Sequence, residues 1–333
     1  MNTNIDLSII VVSYNEAEYL TKAINSCLDI LKENRIEIII GDDGSSDNSL
    51  EIIKSFIEKY PDFIQFFVMP RDEKEPVIAS LRVSNVIKKA LEIANGKYCY
   101  ILSGDDYICD PQFLIKSLEV LNENKKYSST VAKSYTLIWP DSTKKDIHVP
   151  SITPKLYWTG SYSHISCFVF RKEIALKNIL DRFCDDTGLE YSLINKTNTW
   201  KYLDYTAFYY RQRDKSIMHS SNQTELSIIE LMLCQDCLNQ KKNIGSSYIY
   251  PRFSSSLNYL FTNRHELTDL KYKKYIDSCN RFKNNILKEL LDYDHNNILK
   301  KSKLLFLLGY SKYLSSFHFR LLRHIYLKLT KQK

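Results

Sequence analysis

Two acidic stretches carry the residues most able to do chemistry: "IIIGDDGSSDNS", with Asp42 and Asp43, and "YCYILSGDDYICDP", with Asp105 and Asp106. Adjacent carboxylates repel, so such a pair is costly unless a cation or hydrogen-bond donors compensate it. A hard divalent ion such as Mg²⁺ or Mn²⁺ is the usual compensation, held by one or two carboxylates together with the phosphates of a substrate. Asp105 and Asp106 therefore suggest a metal-diphosphate site. The plainer alternative is an Asx-turn in which one Asp caps a helix beginning near Pro111 while the other is solvated. In the earlier stretch, Asp43 is placed to accept a hydrogen bond from a base N–H or a ribose hydroxyl, and Asp47 to cap the following helix.

The elements around these acids follow from periodicity. Leu7–Val12, Ile36–Ile40, Phe63–Val68 and Tyr98–Leu102 are short apolar runs of the kind buried on both faces of a parallel sheet. Between them, Glu18–Lys32, the stretch from Leu50 to Ile57, and Val83–Ala94 space apolar residues as helices do. Strand and helix in alternation imply right-handed crossovers and a doubly wound, mostly parallel α/β sheet. Ligands of such sheets bind beyond the carboxyl ends of the strands, where both acidic stretches fall. A helix over Pro111–Asn122 is expected next, then strand-like pieces to about Met218, then long helical stretches such as Glu225–Leu238 and Leu267–Leu291. The expected organisation is a domain over 1–220, with 1–110 binding the nucleotide part and 111–220 the acceptor, and a C-terminal helical region over 221–333.

Composition narrows the class. With 333 residues, 44% hydrophobic and 26% charged, the chain has the material of a globular protein rather than a disordered one. The formal charge of +7 is local: nine Lys or Arg and no acid lie between His295 and Lys333. The eight scattered cysteines read as reduced thiols, and Cys234-Gln-Asp-Cys237 as two helix cysteines, since no second metal-binding pair accompanies it. No apolar stretch reaches the roughly 18 residues of a membrane-spanning helix, and Leu7–Val12 is too short for a signal sequence, so a cytoplasmic location is expected.

Three ordered segments, "SIIVVSYNEAEYL", "IIIGDDGSSDNS" and "ANGKYCYILSGDDYICDP", resemble the nucleotide-sugar-binding half of glycosyltransferase family 2, which has the GT-A fold. The resemblance covers residues 5–115 and continues more weakly to about 220. It implies that Tyr14 and Asn15 border the nucleotide, that Asp43 bonds the base, and that Arg82 lies near the donor diphosphate. Asp105 would meet the ribose and Asp106 the metal, Mn²⁺ or Mg²⁺. Many members carry an acid where this chain has Ser103, which leaves Asp106, phosphate oxygens and water to hold the ion.

The second half resembles the family too. "RFCDDTGLEYSLINK" matches the segment that supplies the base, with Asp186 the expected base and Asp185 and Glu190 the alternatives; helix capping by either Asp is compatible with that role. In "GSYSHISCFVFRKEIAL", His164 and Ser166 would face the acceptor, although a lone histidine is more often a satisfied structural residue. Downstream, Arg211, Arg213 or His219 would approach diphosphate or metal, His219 as a ligand. The basic tail reads as an amphipathic helix on an anionic membrane surface, as a packed helix, or as a homodimer contact. No nucleic-acid module accompanies the charge.

The expected activity is inverting transfer of a sugar from a nucleotide diphosphate donor, UDP-sugar favoured, to a saccharide or lipid-linked saccharide acceptor in bacterial surface-glycan assembly. A nucleotide-sugar-binding protein without transfer activity is the first alternative. A nucleotidyltransferase is the second, but it would need a glycine-rich phosphate loop where "SYNEAEYL" stands.

Overall fold

A computed structural model describes residues 5–31, 35–71, 79–148, 164–178, 189, 193 and 199–213. The apolar runs become parallel strands: β1 (Leu7–Ser13), β2 (Ile36–Asp42), β3 (Ile64–Val68) and β4 (Tyr98–Ser103). Helices α1 (Ala17–Leu28), α2 (Ser49–Lys59) and α3 (Ala79–Ile93) connect them. Every residue of β1 and β2 is buried, as are the first five of β4, which is why these segments are continuous in Ile, Val and Leu rather than alternating. Removing each such side chain from water contributes about 1.5–3 kcal/mol, most of what holds the sheet together.

Beyond β4 come a two-residue strand β5 (Tyr107–Ile108), helix α4 (Pro111–Glu123), β6 (Tyr127–Ile138), β7 (Lys144–His148), β8 (Phe168–Arg171), α5 (Lys172–Asn178) and β9 (Thr199–Arg211). The strand order is β3-β2-β1-β4-β8-β6-β9-β5, with β7 pairing β6 on the side. The first four strands are parallel, β8 is antiparallel to both of its neighbours, and β6 and β9 run parallel. A mostly parallel doubly wound sheet is thus what forms. The chain divides into the units Met1–Ser220 and Ser221–Lys333, and the described residues all belong to the first; the expected C-terminal helices, the Cys234–Cys237 pair and the basic tail lie outside them.

At the amino ends of the strands, opposite the acids, sits one buried acid that β2 could not otherwise tolerate. Glu37 accepts from Ser8 Oγ (2.6 Å), Asn95 N (2.6 Å), Asn95 Nδ2 (3.0 Å) and Gln65 Nε2 (2.8 Å), so its charge is compensated by donors from β1, β3 and the α3–β4 turn. Gly96 passes so close to Leu7 and Ser8 that a Cβ would meet backbone atoms, which explains the glycine in "ANGK". Beside the same turn, Arg171, paired with Tyr98 at the start of β4, donates to the carbonyls of Tyr127 (2.8 Å) and Leu121 (2.5 Å), tying β8 to the end of α4. These contacts hold the central strands in a fixed register, and with them the loops at the carboxyl edge.

Candidate active site

Register brings the two acidic stretches together. Ser13 at the end of β1 faces Asp42 on β2, and Val12 faces Ser103 on β4, so both acid pairs emerge from neighbouring strands at one edge.

The loop after β1 and the loop after β2 are bonded to each other. Asn15 N donates to Ser45 Oγ (2.9 Å), and Asn15 Oδ1 accepts from Ser46 N (2.8 Å). Asn15 adopts φ 52°, a left-handed conformation that Asn tolerates better than most residues. Asp47 accepts from Ser49 N at the start of α2 and from Ala17 N at the start of α1, both at 3.0 Å. Its pKa is lowered overall: burial would raise it, but the bonds from Ser49 and Ala17 outweigh that. One carboxylate thus caps two helices. Asp42 is likewise occupied within its own turn, by Ser45 N (2.7 Å) and Ser45 Oγ (2.6 Å).

Asp43 points the other way, into a cationic cluster. Its Oδ2 lies 2.6 Å from Arg71 Nη2 and its Oδ1 2.6 Å from Arg82 Nη2, the latter an ion pair rather than an aligned hydrogen bond. Arg71 also donates to Tyr14 Oη (2.8 Å) and stacks on the Tyr14 ring at 3.6 Å from its centroid. Tyr14 itself is 41% exposed, so its ring and Arg71 form an open-sided platform beside Asp43. Arg82 is anchored on Asp43 and on the Pro70 carbonyl (3.0 Å).

Asp105 and Asp106 are both buried, at 6% and 1% exposure. Neither caps the next helix. Asp110 does, accepting from Gln112 N at 2.9 Å, so the Asx-turn alternative belongs to a different acid of the same stretch. Asp106 Oδ1 accepts from Arg211 N (2.9 Å), while Asp106 Oδ2 is buried and has no hydrogen-bond partner among the described residues. Burial, then the neighbouring Asp105 charge, pushes the Asp106 carboxyl well above the usual carboxylate range. Asp105 Oδ2 lies 2.5 Å from Arg213 Nη2, and its carbonyl accepts from Arg211 Nε (3.0 Å).

A third acid joins them from the β1–α1 loop. Glu16 is 6% exposed, its Oε1 lies 3.1 Å from Arg213 Nη2, and its Oε2 is buried against Gly104 without a partner among the described residues. Burial, then the charge of Asp105, holds its carboxyl well above the usual range against the opposing pull of Arg213. Ser103 supplies no acid, but Glu16 places a carboxylate beside Asp105 from a strand end away. The sequence pattern does not single out Glu16 or Arg71; the only signal is that each lies three residues past the end of a strand, in "SYNE" and "VMPR".

Residues 211–213 reach the acids because of strand pairing. β5 pairs β9 with Tyr107 opposite Tyr209, whose rings stack at 4.6 Å, and this carries the end of β9 across Asp105 and Asp106. Arg211 then lies over the Tyr19 ring at 4.6 Å. His164 Nδ1 accepts from Ser166 N (3.2 Å), and its ring packs with Phe208 (4.8 Å) and Tyr210 (5.1 Å). Ser166 is fully buried. Asp185, Asp186, Glu190 and His219 lie outside the described residues.

Among the described residues, no three His, Cys, Asp or Glu side chains converge as a self-contained metal site. The donor set nevertheless suits a hard cation that brings its own phosphate oxygens. Asp106 Oδ2 is an unpartnered buried oxygen with further carboxylates nearby, and such ions commonly take one or two carboxylates and complete their shell with substrate and water.

Comparison with solved structures gives the class: the fold is GT-A-like. S. aureus TarS (residues 1–349) in complex with UDP-GlcNAc matches with a TM-score of 0.61, 18% identical, over 97% of this chain and 92% of that one. The mannosyltransferase PcManGT of Pyrobaculum calidifontis, in complex with GDP-Man and Mn²⁺, matches with a TM-score of 0.51, 12% identical, over 90% and 88%. Residues 8–178 match the model of Glycosyl transferase family 2, and the chain belongs to that family. Among relatives, a Haemophilus influenzae glycosyltransferase is 35% identical over 118 residues, covering 35% of this chain and 43% of that protein. The Bacillus subtilis minor teichoic acid biosynthesis protein GgaB is 26% identical over 220 residues, 63% of this chain and 23% of that protein. The chain spans less than half the length of the curated relatives it matches first.

Proposed function

We propose that the protein transfers a sugar from a nucleotide diphosphate sugar to a saccharide or lipid-linked saccharide acceptor, with inversion at the anomeric carbon, in assembly of a bacterial surface glycan. The observation that carries the reading is the clustering of Asp43, Asp105 and Asp106 at one sheet edge, with an open Tyr14–Arg71 platform on one side and an unpartnered Asp106 oxygen on the other. The platform suits a base, whose flat ring can lie against Tyr14 while Asp43 accepts from a base N–H. Asp105 would meet the ribose, with Arg82 and Arg211 towards the diphosphate. A UDP-sugar is favoured because TarS, of the same fold, has been solved with UDP-GlcNAc and with UDP. A surface-glycan role draws on the similarity to GgaB.

Asp106, with donor phosphates, would hold Mn²⁺ or Mg²⁺, which when bound stabilises the charge of the departing nucleoside diphosphate. His219, outside the described residues, remains a further ligand in this proposal. Asp186 takes the proton of the acceptor hydroxyl as that oxygen bonds the anomeric carbon and the bond from that carbon to the phosphate oxygen breaks; Asp185 and Glu190 are the alternative bases. Base assistance of this kind contributes about 10²–10⁴ in rate. His164 and Ser166 belong to the acceptor side, where the half-buried rings of His164 and Tyr210 offer a surface for a sugar to pack on. Residues 1–220 would form the transferase domain and 221–333 a helical region whose basic tail docks on the inner face of the membrane; a homodimer contact is its other use. Among the described residues no helix is long and apolar enough to cross a membrane.

The test is a thermal-shift screen over UDP-, GDP-, CMP- and dTDP-sugars with Mn²⁺, followed by transfer assays with Mn²⁺ and with EDTA. A specific donor should raise the melting temperature by binding the folded state preferentially. Transfer surviving in both Asp106→Ala and Asp186→Ala would sink the assignment.

A further inference from the structure

Three carboxylates, those of Glu16, Asp105 and Asp106, share the carboxyl edge with almost no access to water. Like charges in such a place demand compensation. What the fold supplies is the Arg213 guanidinium, through one nitrogen, Nη2, to both Asp105 Oδ2 (2.5 Å) and Glu16 Oε1 (3.1 Å). Arg211 adds a backbone N–H to Asp106 and a guanidinium bond to the Asp105 carbonyl, not to a carboxylate. The compensation is incomplete, because Glu16 Oε2 and Asp106 Oδ2 are buried without partners among the described residues. Among the described residues one guanidinium, that of Arg213, thus pairs with these carboxylates, where a doubly charged ion would be better matched. That positive charge arrives on Arg213, two residues past the end of β9, not on the strands that hold the acids.

We propose that Arg213 is an exchangeable counter-ion of the donor site: without donor it bridges Asp105 and Glu16, and a divalent ion arriving with a nucleoside diphosphate displaces it from these carboxylates, freeing it to pair with the diphosphate. The inference rests on the donor-site reading above and adds two residues to it, Glu16 as part of the acidic cluster and Arg213 as the resident cation. Because the guanidinium and the ion compete for the same carboxylates, each lowers the other's affinity in the absence of nucleotide. With the diphosphate present the competition is relieved, since the displaced guanidinium gains an anion. The coupling is reciprocal, as any linkage between two binding events must be.

The experiment is a titration of the full chain with Mn²⁺ alone, followed by electron paramagnetic resonance of the free ion, and then with Mn²⁺ at fixed UDP. Arg213→Ala and Arg213→Gln should bind Mn²⁺ alone more tightly than wild type by about 5–150-fold, the usual span of such couplings, and should hold UDP with Mn²⁺ more weakly. Arg213→Lys keeps the charge and should stay close to wild type on both counts. Near-ultraviolet circular dichroism checks folding, and Arg213→Gln, which retains polar contacts to the carboxylates, stands in if Arg213→Ala does not fold. Mn²⁺ affinity in both neutral variants equal to or below that of wild type overturns the exchange. Sugar transfer by the wild type is measured in parallel, so that active wild type with unmoved Mn²⁺ affinity defeats the exchange alone. Failure of transfer with every donor, alongside the tightened Mn²⁺ binding, would instead defeat the functional reading and leave the exchange standing.

Discussion

Asp106→Asn should make the ligand-free protein more stable while removing its activity. In the folded chain Asp106 is 1% exposed, Oδ1 is bonded to Arg211 N, and Oδ2 has no partner among the described residues. Burial first, and then Asp105, raises its pKa above that of the unfolded chain. A carboxyl whose folded value is raised contributes stability that is fully present below the unfolded value and is lost as pH rises through the folded one. Near neutral pH the ionised form is therefore a cost to the fold. The amide keeps the acceptor for Arg211 N, carries no charge, and offers a donor towards the neighbouring acids. An unsatisfied buried polar atom costs about 1–3 kcal/mol, more when charged. For a domain of this size each kcal/mol moves Tm by about 2–4 °C, so a rise of about 2–12 °C is expected at neutral pH. The wild-type Tm should itself climb on mild acidification, and that climb should shrink in the variant. Transfer should meanwhile fall by about 10²–10³-fold, because a metal's charge stabilisation amounts to several kcal/mol at about 1.36 kcal/mol per tenfold. Differential scanning fluorimetry across pH, with and without Mn²⁺, reads the first effect, and initial rates of sugar transfer read the second. A lower Tm in the variant together with retained transfer would refute both the electrostatic argument and the assignment of Asp106.

Three further outcomes are expected. Arg71→Ala should weaken UDP binding by about 10–150-fold in calorimetry, since a charge-assisted hydrogen bond contributes about 1.5–3 kcal/mol and this side chain holds both Asp43 and the Tyr14 ring; unchanged affinity would remove Arg71 from the nucleotide platform. Asp186→Ala should lower kcat by about 10²–10⁴ with the donor Kd within about twofold, and a variant that loses donor binding as well would argue for a structural role instead. Gly96→Ala, far from the acids, forces a Cβ against the Ser8 and Leu7 backbone and should lower stability by about 1–3 kcal/mol. Its kinetic constants below the melting range should match wild type.

The sheet was legible in the chain because strands buried on both faces must be largely apolar, and β1, β2 and β4 are, with Ser8 and Glu37 the interior exceptions. The acids at the strand ends were legible for a related reason: a charge that ends such a run cannot be there for packing. Less legible was which acid does what. Asp42 and Asp43 are chemically identical neighbours, yet Asp42 is taken up by its own turn while Asp43 is held by two arginines at the site, and that division depends on which way each side chain leaves the strand end. The capping acid of "GDDYICDP" is Asp110 rather than either member of the pair.

What the sequence alone determined is local and periodic: the alternation of strand and helix, the placing of both acidic stretches at strand ends, and the family they resemble. What only the tertiary structure decided is which distant residues share the site. Glu16 reaches Asp105 because β1 and β4 are hydrogen-bonded neighbours, and Arg71 reaches Asp43 because β3 lies beside β2. Arg213, more than a hundred residues from Asp105, arrives through the pairing of β5 with β9. A one-dimensional pattern records which face of its own element a residue occupies. It carries nothing about which strand lies alongside, and the charge balance of this site is made entirely across strands.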